Sequence, residues 1–140
     1  MNAQMIFVPV LVQIILTIII YALLNVAKIK AVRNNQVDLA RRGQYDDAWP
    51  ESVRKINNNI RNQFEVPVLF YVLALMQFAL NAVSVASVVV AWVFALSRIV
   101  HAVIHIGPNY VPYRRRVFMF GCFMLVILAG LNAYALFNPR

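Results

Sequence analysis

Ile6 through Val26 reads IFVPVLVQIILTIIIYALLNV, a run without one charged residue, and its length decides the fold. An α-helix needs roughly 20 apolar residues to cross about 30 Å of hydrocarbon, so this stretch predicts a membrane span. It is expected to stay in the mature chain. A cleavable leader opens with basic residues and ends at a small-residue cleavage site, whereas Met1 to Met5 contain no Lys or Arg. The rest of the chain agrees: 62% of it is hydrophobic, the mean hydropathy is +0.70 and only 13% is charged. A soluble domain carries about 25% charged residues, so these values exclude one.

Three further apolar runs follow, giving expected spans at 6–26, 60–82, 83–106 and 117–137. The second extends backwards into a polar, helix-periodic stretch that starts near Val53, and Asn81 with Ser84 marks a very short turn before the third. The expected fold is all-α, an integral membrane four-helix bundle forming one domain over residues 1–140. Four helices enclose little interior, so oligomerisation is expected. Cys122 is the sole cysteine, which excludes an intrachain disulfide and leaves a small apolar packing residue. Gly121 and Gly130 offer places for close helix approach.

The basic residues set the orientation. Lys28, Lys30, Arg33, Arg41, Arg42, Arg54, Lys55 and Arg61 fall in the first connection and Arg114, Arg115 and Arg116 in the last, while Arg140 is the only basic residue at the opposite end. Lys and Arg gather in cytoplasmic loops, so both connections are expected to be cytoplasmic and both termini not. Most of the first loop's charge reads as solvated surface in contact with anionic lipid. Topology accounts for the net charge of +8 and no recognition module is visible, so nucleic acid is not an expected partner. Tyr110 and Tyr113 read as interfacial anchors.

Against this apolar background the membrane-proximal ionisable groups stand out, because charge near hydrocarbon is costly and marks function. Asn58, Arg61, Asn62 and Glu65 stand at i, i+3, i+4 and i+7 and share one helical face; Arg98, His101 and His105 at i, i+3 and i+7 share another. Antiparallel packing across the short turn brings both stripes to the cytoplasmic end. Pro67 lacks a backbone donor and is expected to kink the second helix, freeing a carbonyl near Gln63. The plain alternative for Arg61 and Glu65 is an i,i+4 ion pair. His101 and His105 at i,i+4 could ligate a metal or haem, but no second pair of ligands is evident, and no metal is expected.

The string Arg61-Asn62-Gln63-Phe64-Glu65, followed by a proline-containing apolar helix, resembles the R-N-x-x-E signature of the membrane-associated proteins in eicosanoid and glutathione metabolism, the MAPEG family. Arg98-x-x-His101 with His105 four residues on resembles the R-x-x-H-x-x-x-Y pattern of that family's microsomal prostaglandin E synthase branch. The likeness covers nearly the whole chain. It implies a homotrimer that binds glutathione between neighbouring subunits near the cytosolic face, with a lipophilic small molecule or lipid arriving from the bilayer. Residue by residue, it gives Arg61, Asn62, Glu65, Arg98, His101 and Arg114 as ligand-binding positions. His105 takes the place of a tyrosine, Arg115 that of a serine and Phe118 that of another tyrosine, departures that argue against prostaglandin isomerisation.

Glutathione's chemistry suits these side chains. The planar arginine fork matches its carboxylates, Glu65 complements its ammonium, and Asn62 can both donate to and accept from its amides. A thiol of pKa about 8.5 is mostly protonated at neutral pH, so a nearby guanidinium that favours the thiolate raises the reactive fraction. Arg114 and Arg115 are the candidates for that catalytic role. The expected function is a glutathione transferase or glutathione-dependent peroxidase of bacterial type in the inner membrane, acting on lipophilic electrophiles. The alternative is a non-enzymatic scaffold or lipid-binding protein on the same fold.

Overall fold

A computed structural model describes residues 2–138; Met1, Pro139 and Arg140 lie outside it, and with them the expectation placed on Arg140. All regular structure among the described residues is helical. A 3₁₀ turn, Ala3–Ile6, leads into α1 (Phe7–Arg33), and its first backbone amides are capped by Asn2, whose Oδ1 accepts from the Gln4 N–H at 3.0 Å. Pro9 sits in the first turn of α1, where a missing N–H removes no helical bond. α1 is stopped just past its end by Asn35, which adopts φ 52°, and the Gln36 N–H folds back to the Ala31 carbonyl at 3.0 Å. Asparagine tolerates this left-handed position better than most residues, so it stops the helix cleanly.

α2 (Glu51–Gln63) and α3 (Val66–Ala79) replace the single kinked helix expected over 60–82. The chain leaves helical geometry at Glu65, with φ −97° and ψ −101°, and Pro67 falls in the first turn of α3 rather than inside a helix. Proline is well tolerated there and disruptive deeper in, which is why the break takes this register. With 14 residues α3 rises about 21 Å, short of a full span. Among the described residues, α1 with its leading 3₁₀ turn, α4 and α5 are the three helices long and apolar enough to cross a membrane.

Asn81 closes α3 with φ 53°, and Ser84 opens α4 (Val85–Ile106) through a capping box with Ser87. The tight turn read from Asn81 and Ser84 is therefore built from these two devices. α5 (Val111–Phe137) follows a short loop that contains Pro108 and Asn109.

Two apolar clusters show how the helices run. Ile6, Phe70, Ala74, Ala91, Phe94, Met124, Leu125 and Leu128 pack at the end that holds the start of α1 and the finish of α3 and α5. Ile20, Leu24, Ala31, Val53, Ile56, Ile60 and Ala102 pack at the end that holds the finish of α1 and α4. The bundle thus runs up, down, up, down, with α2 stacked before α3 along the second position. Lipid tails are as apolar as leucine, so cohesion depends on close packing rather than on leaving water. Gly121 supplies that between α4 and α5, since a Cβ there would lie 3.1 Å from Ser97 Oγ, whereas Gly130 has nothing within 4 Å. Phe70 and Phe94, both fully buried, stack with ring centroids 4.6 Å apart in the same layer. The chain is an integral membrane helical bundle, and every helix end that carries the basic connections lies at one pole.

Candidate functional site

The inward stripe of α4 runs Ala91, Phe94, Ala95, Arg98, His101, Ala102 and His105, so helical periodicity carries an arginine and two histidines into the interior near the basic pole. Facing it, α2 turns Val53, Ile56 and Ile60 inward, and this rotation brings Asn59 and Gln63 with them. Four polar residues then join three helices. Gln13 Nε2 on α1 donates to Gln63 Oε1 at 2.6 Å, Gln63 Nε2 donates to Asn59 Oδ1 at 3.0 Å, and Asn59 Nδ2 reaches His105 Nδ1 at 3.2 Å. Asn62 Nδ2 approaches the same ring nitrogen at 3.4 Å. Two amide donors directed at Nδ1 make it the acceptor and leave the ring proton on Nε2.

Arg98 is the centre of the site. It is 1% exposed, and its Nη2 donates at 3.4 Å to the Asn62 carbonyl, a group freed by the helix break at Glu65. Its Nε and Nη1 have no partner, and the guanidinium lies 5.7 Å above the Phe118 ring. His101 packs between His105 and Phe118, and its Nδ1 also lacks a partner. The only ion pairs among the described residues are Arg41–Asp47 and Arg61–Asp46, so no carboxylate makes a contact ion pair with Arg98. A buried charge left in this condition costs several kcal/mol, and an anion presented to Nε and Nη1 removes much of that cost. These orphaned donors are therefore chemically matched to an anionic group such as a carboxylate or a thiolate.

The residues singled out from sequence divide into two groups. Asn62, Arg98, His101 and His105 come together. Asn58, Arg61 and Glu65 share their expected face, but in the single chain that face is exposed, and Arg61 Nη2 donates to Asp46 in the first loop rather than pairing with Glu65. Arg114 is half-buried and donates to Asn109 Oδ1 at 2.6 Å; Arg115 is exposed one residue on. Neither touches the Arg98 cluster through a hydrogen bond among the described residues. Among those residues no group of three or more His, Cys, Asp or Glu side chains is arranged to hold a metal ion.

Sequence reasoning did not single out Gln13, Asn59 or Gln63. Asn59 and Gln63 were open to discovery, because they lie on the apolar face defined by Val53, Ile56 and Ile60. Gln13 carried one signal, an amide in the middle of a largely apolar run.

Comparison with family models matches residues 5–134 to the MAPEG family. Comparisons with curated proteins and with solved structures gave no match.

Proposed function

The chain belongs to the MAPEG family, and on that premise we propose that it is a membrane-embedded glutathione transferase or glutathione-dependent peroxidase acting on lipophilic electrophiles. Membership makes it a membrane protein of the glutathione and eicosanoid metabolism kind; the activity is the step proposed. One observation carries it: Arg98 is buried with Nε and Nη1 unpaired, a cation that still has charged donors to offer an anionic group.

Asn62, His101 and His105 cluster with that guanidinium, and each carries a polar group suited to a peptide-like ligand. Bound glutathione supplies the thiol nucleophile. Arg98 takes a carboxylate, Asn62 a peptide amide, and Glu65 the ammonium, while Arg114 or Arg115 favours the thiolate over the thiol. Arg61 takes the second carboxylate by exchanging Asp46, which the exposure of that pair makes inexpensive. Arg61, Glu65 and Arg115 are each exposed in one chain, and a homotrimer with glutathione between subunits would cover them. Cytoplasmic placement of the basic pole and an inner-membrane location belong to the same proposal. The acceptor reaches the thiolate by partitioning into lipid, so proximity supplies the rest of the rate.

The exposure of Arg61 and Glu65, against the burial of Arg98, supports a second reading, a scaffold or lipid-binding protein that keeps the fold without catalysis. Calorimetric titration of the purified protein with glutathione, paired with thiol consumption against an aryl halide or a lipid hydroperoxide, separates the two. Binding with turnover supports the enzyme. Binding without turnover, or an intact oligomer that binds no glutathione, rejects it.

A further inference from the structure

A second feature of the basic pole stands apart from the α4 site. Between the end of α1 and the first loop lies a cavity of about 240 Å³, with Lys28, Arg42 and Arg54 on its walls beside Tyr45, Asp46 and Trp49. An open groove of about 340 Å³ adjoins it and shares Lys28, Arg42 and Trp49, but its remaining wall is Ile29, Val32 and Arg33. Trp49 organises the wall that the two spaces share. Lys28 Nζ sits 5.0 Å from the Trp49 ring centroid, and Trp49 Nε1 donates to the Arg42 carbonyl at 3.1 Å, so the indole fixes both shared walls.

The charges in the cavity do not balance. Asp46 is engaged by Arg61 and Asp47 by Arg41, and no ion pair among the described residues involves Lys28, Arg42 or Arg54. Three cations around one small space repel each other unless an anion joins them. Their depth indicates which anion is at hand. α1 has 27 residues and rises about 40 Å, against about 30 Å of hydrocarbon. Its charge-free run ends at Val26, so Lys28 to Arg33 emerge at headgroup depth, where tryptophan also prefers to sit. A phosphate at this level comes attached to acyl chains, and the groove along Ile29 and Val32 is the apolar surface next to it.

We propose that the joined cavity and groove bind one anionic phospholipid per chain, its phosphate among Lys28, Arg42 and Arg54 and an acyl chain along Ile29 and Val32. The site is independent of glutathione and stands whether or not the chain is an enzyme.

Full-length protein in nanodiscs of equimolar phosphatidylglycerol and phosphatidylcholine, released for native mass spectrometry, tests the proposal. Wild type retains one phosphatidylglycerol per chain in preference to phosphatidylcholine. Arg42→Gln with Arg54→Gln lowers that retention about 25-fold, roughly fivefold for each cation removed. Lys30→Gln with Arg116→Gln removes the same charge at the same pole and leaves retention unchanged. Equal retention of the two lipids by wild type overturns the proposal and needs no variant. An equal loss in both double variants overturns it too, because the attraction is then only the field of the basic pole. Displacement of the lipid by millimolar inorganic phosphate assigns the cavity to a soluble anion and rejects the lipid.

Discussion

Replacing Arg98 with methionine should raise the stability of the ligand-free protein and weaken glutathione binding, two effects of opposite sign from one substitution. The stability gain follows from burial. Arg98 is 1% exposed with two unpartnered nitrogens, and exchanging buried ionic groups for apolar residues of similar volume is often stabilising by about 1–4 kcal/mol. The Asn62 carbonyl loses its long 3.4 Å contact, which takes back about 1 kcal/mol. A net gain of about 0–3 kcal/mol corresponds to a Tm unchanged or raised by up to several degrees. Binding moves the other way, since a hydrogen bond to a charged group is worth about 1.5–3 kcal/mol, a roughly 10- to 160-fold loss in affinity. Arg98→Lys keeps the charge and loses the planar fork, so it should bind with intermediate affinity. Thermal unfolding in detergent, with and without saturating glutathione, reads both effects in one experiment, because ligand-induced stabilisation vanishes as Kd rises. An apo Arg98→Met protein that melts below wild type, or a variant that binds glutathione within about twofold of wild type, refutes the reasoning.

Gln63→Leu strands Gln13 Nε2 and Asn59 Oδ1 and should cost about 2–6 kcal/mol, part of it recovered by adding Gln13→Leu; denaturant unfolding of the single and double variants measures this. Gly121→Ala drives a methyl to 3.1 Å from Ser97 Oγ, a hydroxyl already held by the Phe94 carbonyl. It should lower the melting point by the equivalent of about 1–2 kcal/mol, and Ser97→Ala should relieve it. Asp46→Asn releases Arg61, and with both side chains more than half exposed the stability change should stay within about 1 kcal/mol. Glutathione titration should then show affinity equal to or above wild type, and weaker binding would count against a ligand role for Arg61. Glu65→Gln should leave the melting point unchanged and weaken glutathione binding severalfold by calorimetry, because Glu65 is exposed and forms no ion pair among the described residues.

Residue types alone carried the membrane class and much of the architecture. A charge-free run from Ile6 to Val26 has few fates other than a transmembrane helix, and Asn81 with Ser84 places a turn because asparagine accepts a left-handed backbone and serine caps a helix. The interior stripe of α4 was legible from spacing, since Arg98, His101 and His105 recur at helical period and the structure buries all three. Less legible was the break between α2 and α3. Pro67 signals a disruption, but whether it bends one helix or begins another depends on the backbone at Glu65. The face of α2 was also hard to read. Asn58, Arg61 and Glu65 form a coherent polar stripe, yet Val53, Ile56 and Ile60 decide which side meets the bundle, and that choice buries Asn59 and Gln63. The pairing of Arg61 with Asp46 depends on the path of a long loop, which local pattern does not encode.

A cryo-EM map of the protein saturated with glutathione tests the central claim most directly. The account predicts a glutathione carboxylate, or its sulfur, within hydrogen-bond distance of Arg98 Nε or Nη1, about 2.7–2.9 Å for a carboxylate. A map in which glutathione is absent, or sits elsewhere while those two nitrogens face only water, contradicts it.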